Sequence, residues 1–135
     1  MNQSNTLKKA ERLDRKKVIG KMFTGGKEAH SFTVFPLRVV YLMEPELKSQ
    51  ASILISVSKR YFKHAVERNR VKRQIREAYR LNKFPLVSLL TDKGQQFAIA
   101  FIYLSDKLVS TAYLKESMKI ALERLQEKLL AETEA

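Results

Sequence analysis

The 135-residue chain contains no cysteine, which excludes disulfide bonds and metal sites built from thiolates. It has no apolar run long enough to cross a bilayer, no signal-peptide pattern at its start and no lipidation motif. These absences predict an intracellular, cytoplasmic protein without a membrane partner or a disulfide-linked partner. Acidic residues are also scarce, with 14 Asp and Glu against 26 Lys and Arg.

The resulting net charge of +12 is the main feature of the composition. Such an excess favours binding to a polyanion through release of counterions, with an affinity that falls steeply as salt rises. An anionic membrane surface could use the same charge, but the chain carries none of the segments that would anchor it there. The composition therefore favours a nucleic acid as the partner.

Apolar periodicity predicts a single α+β domain over residues 1–135, with about 1–8 and 131–135 flexible. The expected order is α-β-β-β-α-β-α. Helices pack on a mixed sheet of about four strands, and a β-α-β crossover through a basic helix implies a parallel pair. The predicted segments are a helix at 15–24, strands within 31–43 and at 51–59, the basic helix, a strand at 96–104 and a final helix.

Several local signals refine this scheme. Pro36 suggests an edge position, a bulge or the start of a regular strand. The strand at 51–59 is interpreted as a second hairpin arm, and Phe84-Pro85 is taken to end the basic helix. The strand at 96–104 is apolar at both odd and even positions, which predicts burial on both faces. Ser110 or Thr111 can cap the final helix, whose core stripe consists of Leu114, Met118, Ala121, Leu125 and Leu129.

The basic helix carries the strongest functional signal. Residues 68–80 contain six cationic side chains and neither Gly nor Pro. At roughly 100° per residue, the polar side chains share one face while Val71, Ile75, Ala78 and Tyr79 lie opposite. One side can then pack on a core while guanidinium groups on the other fork onto phosphate oxygens. We call the predicted RNA-contacting set the cationic face: Arg68, Asn69, Arg70, Lys72, Arg73, Arg76 and Arg80.

A plain solvated helix surface is the alternative interpretation of this run. Only Glu67 and Glu77 accompany the cations, so ion pairing leaves most of the charge uncompensated. Candidates for catalysis are few. The two histidines are His30 and His64, and no partner for acid–base work can be assigned to either. The sequence shows no metal-ligand cluster, nucleophile elbow or phosphate-binding glycine loop, and we predict no catalytic and no metal-binding residue.

Two segments closely resemble the signature of the protein subunit of bacterial ribonuclease P. They are Ser-Val-Ser-Lys-Arg at residues 56–60 and Ala-Val-Glu-Arg-Asn-Arg-Val-Lys-Arg-Gln-Ile-Arg-Glu-Ala-Tyr-Arg at 65–80. The similarity extends over roughly residues 9–130, with the elements in the same order. It implies a ribonucleoprotein subunit that binds the catalytic RNA and the 5′ leader of precursor tRNA. In that family, the RNA carries out the Mg²⁺-dependent endonucleolytic removal of the leader, and the protein assists.

The resemblance also implies where RNA contacts lie. The cationic face would meet the catalytic RNA, although Asn69 could instead orient a neighbouring arginine or cap a turn. A cleft between the first helix and the sheet would hold the single-stranded leader, yet Ile19 and Phe23 could equally be plain core residues. Residues flanking the basic helix are Lys59, Arg60, Lys63 and His64. Cleft candidates are Arg12, Arg15, Lys16, Ile19, Phe23, Phe35, Arg38 and Tyr41.

Two departures from the family pattern stand out. Ile19 occupies a position where the family commonly presents phenylalanine, and isoleucine cannot stack on a base. Tyr61 and Phe62 stand where the family usually has a glycine before the helix, which suggests a different turn and an extra stacking surface. Two other functions remain as alternatives: a stand-alone basic RNA-binding or ribosomal protein with no role in cleavage, and a protein-only nuclease.

Overall fold

The computed structural model of the protein describes residues 29–45, 47 and 49–134. The helix expected at 15–24 therefore lies outside the described residues, as does the segment 1–8. The described elements in chain order are β1 (His30–Val34), β2 (Leu37–Met43), β3 (Ala51–Ser56), α1 (Ala65–Asn82), α2 (Phe84–Lys93), β4 (Phe97–Tyr103) and α3 (Thr111–Glu134).

The four strands form one mixed sheet in the order β1-β2-β4-β3. Strand β4 pairs antiparallel with β2 and parallel with β3. The α+β class and the parallel crossover are confirmed, and the crossover passes through α1 and α2. The interpretation of residues 51–59 as a second hairpin arm is wrong, because β4 lies between β2 and β3. A strand that is apolar at both odd and even positions belongs in the middle of a sheet. Six of the seven residues of β4 are buried.

Side chains alternate between the two faces of the sheet. On one face, Val39, Ile99 and Phe101 join buried residues of all three helices in the main core. The opposite face carries a smaller cluster that includes Val40, Leu42, Ala98 and Ala100. The main core fixes the helices to the sheet, and with them the surfaces that the helices present.

Helix α2 was not predicted. The basic helix does end just before Phe84-Pro85, at Asn82, as predicted, but a new helix begins there at once. Proline occupies the first turn of this new helix, where its missing N–H is no loss. Leu86 and Leu90 of α2 are buried in the main core. Gly94 ends α2: its φ of 64° lies in the left-handed region, and its N–H donates to the Thr91 carbonyl oxygen at 3.1 Å.

Of the three alternatives for Pro36, the structure selects the start of a strand. Phe35 and Pro36 form the turn after β1, and β2 begins at Leu37. The predicted core stripe of α3 is confirmed, since all five of its residues are buried. Ser110 caps this helix: its Oγ accepts a hydrogen bond from the Tyr113 N–H at 3.1 Å.

Candidate nucleic-acid interface

Helix α1 is held in place by its apolar side. Val71, Ile75, Ala78 and Tyr79 have no exposed surface, as the helical spacing predicted. The Tyr79 ring packs against Phe101 of β4, with 5.7 Å between ring centroids. Because this side is fixed against the sheet, the orientation of the opposite side is fixed as well.

A second attachment joins α1 to the start of α3. The Gln74 side-chain amide donates to the Val109 carbonyl oxygen at 3.3 Å and to the Thr111 hydroxyl at 3.1 Å. No role for Gln74 was predicted from the sequence. Its only sequence signal is an uncharged polar residue within a run of cations. The helix that presents the cationic face is thus anchored at its middle as well as along its buried side.

Four members of the cationic face are exposed: Asn69, Arg70, Arg73 and Arg76. Within the described part of the chain, the three arginine side chains make no ion pair and no hydrogen bond. Lys72 is half-buried beside them. An uncompensated row of guanidinium groups on a rigid helix is suited to bidentate contacts with phosphate oxygens.

Arg80, at the end of the cationic face, is engaged within α1. Its Nε donates to Glu77 Oε2 at 3.0 Å, and its Nη2 contacts the other carboxylate oxygen. The hydrogen bond from Arg80 lowers the pKa of Glu77, and the same bond raises the pKa of Arg80. The i, i+3 spacing of Glu77 and Arg80 is the sequence signal for this pair.

Arg68, at the start of the cationic face, is also engaged. Its Nη1 donates to the carbonyl oxygens of Phe62 and Lys63, at 2.7 and 2.9 Å. Arg68 therefore holds the β3–α1 loop, which we define as residues 57–64. The set predicted as one RNA-contacting group divides into a displayed centre and two ends whose arginines already have intramolecular partners.

The β3–α1 loop carries the flanking cations that the sequence analysis predicted. Lys59, Arg60, Lys63 and His64 are all exposed. They precede the first turn of α1, so they extend the positive surface beyond the start of the helix. The fold thus brings the two predicted groups of cations together on contiguous elements.

The aromatic pair in this loop separates into two roles. Phe62 is only 4% exposed and packs against Tyr103 of β4, with 6.0 Å between ring centroids. Tyr61 is 39% exposed. Of the predicted extra stacking surface, only Tyr61 is therefore available at the surface, because Phe62 belongs to the core.

The predicted leader cleft is only partly described. Arg12, Arg15, Lys16, Ile19 and Phe23 lie outside the described residues. The remaining candidates are Phe35, Arg38 and Tyr41.

Phe35 is 56% exposed in the turn between β1 and β2. Arg38 is exposed and reaches the Ser31 hydroxyl at 3.5 Å. Tyr41 is 3% exposed and packs among the rings of β1 and β4. Arg38 and Tyr41 lie on opposite faces of the sheet, so the structure does not bring them together on one cleft wall.

Within the described residues, no three His, Asp or Glu side chains are grouped so that they could hold a metal ion. None of the helices there is both long enough and apolar enough to cross a membrane. Among the described residues outside α1, Tyr103 has a pKa that is raised by burial of the phenol. Its hydroxyl donates to the Lys107 carbonyl oxygen at 2.6 Å, which is a structural contact within the turn after β4.

The fold and the displayed guanidinium row define a small basic α+β protein with a surface for a polyanion. A family model described as Ribonuclease P matches residues 7–126 of this chain. A "Ribonuclease P protein component" from Porphyromonas gingivalis is 42% identical over 120 residues, which are 88% of this chain and 85% of the relative. The chain belongs to the ribonuclease P protein family.

Further comparisons agree with this assignment. A relative of the same description from Chlorobium phaeobacteroides is 32% identical over 109 residues, covering 76% of this chain and 75% of its own. The RNase P protein of Staphylococcus aureus superposes with a TM-score of 0.68 at 24% identity, over 87% of this chain and 96% of that one. The Thermotoga maritima protein gives 0.60 at 23% identity, over 84% and 96%. These two structures confirm the fold, and the alternative of a stand-alone RNA-binding or ribosomal protein is not favoured.

Proposed function

We propose that this chain binds the catalytic RNA of ribonuclease P and the 5′ leader of precursor tRNA, and that it assists removal of the leader. Membership of the family makes it a protein subunit of a tRNA-processing enzyme with an RNA partner. The proposal adds which surface meets the RNA, which part of the substrate is held and where the chemistry occurs.

The single observation that carries the proposal is the displayed guanidinium row of Arg70, Arg73 and Arg76. These side chains have no partner among the described residues, and a helix packed rigidly on the sheet holds them. The helix fixes the spacing of the three arginines, and the planar guanidinium loses less entropy per hydrogen bond than a flexible ammonium does, so the row is suited to the folded backbone of a large RNA. Asn69 and Lys72 lie beside the row and would add contacts to phosphate or sugar.

We place the leader separately from this helix, on the cleft residues that the family resemblance implies. Of those that the structure describes, Phe35 and Arg38 are exposed and could contact a single strand by stacking and by charge. Tyr41 is buried and would act only by supporting the strand that carries Arg38. Arg12, Arg15, Lys16, Ile19 and Phe23 complete the proposed set.

We assign the cleavage chemistry to the RNA with its Mg²⁺, and no catalytic residue to the protein. The role of the chain is then to neutralise phosphate charge and to position RNA, and its cytoplasmic location would follow from that of its substrate. A helper of this kind should matter most when magnesium is scarce, because its cations then replace part of the counterion charge that folded RNA requires.

The test is cleavage of precursor tRNA at low magnesium by a bacterial ribonuclease P RNA alone, by the protein alone and by the mixture. We expect efficient cleavage by the mixture only. The double variant Arg73→Ala/Arg76→Ala should stimulate the RNA far less at the same protein concentration, since two of the three displayed guanidinium groups are gone. Its thermal unfolding should remain close to wild type, because both side chains are exposed.

A matched control removes the same two charges elsewhere. Lys107 and Lys119 are exposed outside α1 and the β3–α1 loop. The variant Lys107→Ala/Lys119→Ala should keep most of the stimulation. Equal losses in both double variants would mean that net charge alone matters, and an unstimulated RNA with wild-type protein would refute the proposed function altogether.

A further inference from the structure

Several hydrogen bonds hold the β3–α1 loop in place. The backbone N–H groups of Tyr61 and Phe62 both donate to the Ser58 carbonyl oxygen, at 3.2 Å each. The Ser58 hydroxyl accepts from the Arg60 N–H at 3.0 Å. These bonds form a compact turn at residues 58–62.

Two side chains attach this turn to the rest of the protein. Phe62 inserts into the core beside Tyr103, and Arg68 of α1 reaches back to the carbonyl oxygens of Phe62 and Lys63. Tyr61 lies within this turn, directly before the buried Phe62. Its position is therefore set by hydrogen bonds on one side and by a buried ring on the other.

The Tyr61 side chain, by contrast, does not help to hold the turn. Within the described part of the chain, its ring joins no aromatic pair and no cation–π contact, and its hydroxyl makes no hydrogen bond. Four exposed cationic or titratable neighbours surround it in sequence: Lys59, Arg60, Lys63 and His64. An exposed aromatic ring within a cluster of cations is the arrangement that single-stranded nucleic acid recognises, with phosphates on the cations and a base on the ring.

We propose that Tyr61 is a base-stacking residue that holds one unpaired nucleotide of the RNA, presented by a turn that Phe62 and Arg68 keep rigid. This inference rests on the proposed function, because it assumes that the surface around α1 meets RNA. It deepens that function by distinguishing two kinds of contact. Arginines of α1 bind phosphates without regard to base pairing, whereas Tyr61 requires a base that is free to stack.

Salt dependence separates these two kinds of contact. Neutralising a phosphate releases counterions and contributes to the slope of log affinity against log salt, whereas stacking on an uncharged ring contributes nothing to it. Losing the ring should therefore weaken binding by a similar factor at every salt concentration. Losing a neighbouring cation should weaken binding and make the slope shallower.

The experiment titrates a bacterial ribonuclease P RNA with the full-length protein at four salt concentrations. We expect Tyr61→Leu to bind about five- to fiftyfold more weakly with an unchanged slope. Tyr61→Phe should stay within about twofold of wild type, because the ring is kept. Lys63→Ala should reduce the slope by about 0.7 to 0.9. Tyr113→Leu, a change at an exposed tyrosine of α3, serves as the matched control and should bind like wild type.

Three results would overturn the inference: wild-type affinity in Tyr61→Leu, a changed slope in that variant, or an equal loss in Tyr61→Phe. A fall in the unfolding temperature of Tyr61→Leu that matches its loss of affinity would assign the ring to packing instead. Wild-type protein that fails to stimulate cleavage refutes the proposed function. Wild-type stimulation together with unimpaired binding by Tyr61→Leu refutes only the role of Tyr61.

A photoreactive phenylalanine analogue at position 61 gives an independent readout. We expect it to crosslink to a nucleotide that is unpaired in the secondary structure of the RNA. Crosslinks confined to paired nucleotides, or no crosslink in a complex that forms normally, would contradict the proposal.

Discussion

The Glu77 carboxylate and the Arg80 guanidinium form a two-point pair on α1, one turn apart. The pair removes one cation from the cationic face and places a negative charge at its border. Since Arg70, Arg73 and Arg76 have no such partner among the described residues, the paired end and the displayed centre differ in what they can offer to phosphate.

Replacing Glu77 by glutamine should strengthen RNA binding. The change weakens the contact between position 77 and the Arg80 guanidinium and removes a repulsive charge, and we expect affinity for the ribonuclease P RNA to rise about two- to fivefold at low salt. Titrations at low and high salt would show the gain shrinking as salt screens it. Glu127→Gln on α3 removes the same charge elsewhere and is the control. An affinity that falls in Glu77→Gln would mean that the pair orients Arg80 for the RNA.

The same pair gives a small pH dependence of stability. Arg80 lowers the pKa of Glu77 below its ordinary value of 4.5, so the stabilisation is present above that value and is lost as the pH falls through the lowered pKa. Urea unfolding between pH 6 and pH 3 should show wild type losing slightly more stability than Glu77→Gln. Parallel curves for the two proteins would show that the pair contributes nothing measurable in solution.

Phe62 should be essential for stability rather than for stacking. Its ring is buried against Tyr103, and we expect Phe62→Ala to lower the free energy of unfolding by about 3–5 kcal/mol. Urea denaturation measures this loss. Tyr61→Ala, at the preceding position, should lower the free energy of unfolding by less than about 1 kcal/mol, as exposed substitutions generally do. Similar losses in both variants would contradict the division of roles between the two rings.

Substitutions at Gly94 test whether α2 requires the left-handed backbone conformation at its end. A Cβ added at this position would meet no atom within 4 Å, so crowding is not an obstacle. The cost of Gly94→Ala then comes from the left-handed backbone alone, and we expect a loss of about 1–2 kcal/mol in unfolding free energy. Gly94→Asn should lose less, because asparagine tolerates this conformation better. An unchanged stability in Gly94→Ala would show that the helix end relaxes to another conformation.

The sequence predicted those parts of the fold that apolar periodicity determines. The buried side of α1, the doubly buried β4 and the core stripe of α3 follow from spacing alone, and the structure confirms them. It did not predict α2, because Pro85 reads as a stop signal when only the preceding helix is considered, although proline also begins helices. The strand that pairs with β3 is β4, which lies more than forty residues further along the chain. A local sequence pattern cannot identify so distant a partner.

Side-chain partners within the site were less predictable still. Periodicity placed Arg68 on the cationic face, yet nothing in the sequence shows that its guanidinium turns back to the carbonyl oxygens of Phe62 and Lys63. Tyr61 and Phe62 are adjacent aromatics with opposite burial. The path of an irregular loop decides which of two neighbours faces the core, and periodicity does not apply there.

The arginines of α1 should differ in a measurable way because of these partners. Alanine at Arg70, Arg73 or Arg76 should weaken RNA binding, with each change making the slope of log affinity against log salt shallower by about 0.7 to 0.9 and leaving stability nearly unchanged. Arg68→Ala should behave differently, because it removes two hydrogen bonds to main-chain carbonyls. We expect it to lower the free energy of unfolding by about 1.5–3 kcal/mol.

RNA titrations over a range of salt, together with urea unfolding of the same four variants, separate these effects. Arg68→Lys is the informative companion, since it keeps the charge but loses the geometry of the guanidinium. If Arg68→Lys restores the salt slope while the unfolding free energy stays low, the structural role of Arg68 and its charge are distinct. If all four alanine variants lose the same slope and none loses stability, then the contacts from Arg68 to the loop do not persist in solution, and Arg68 binds RNA like the others.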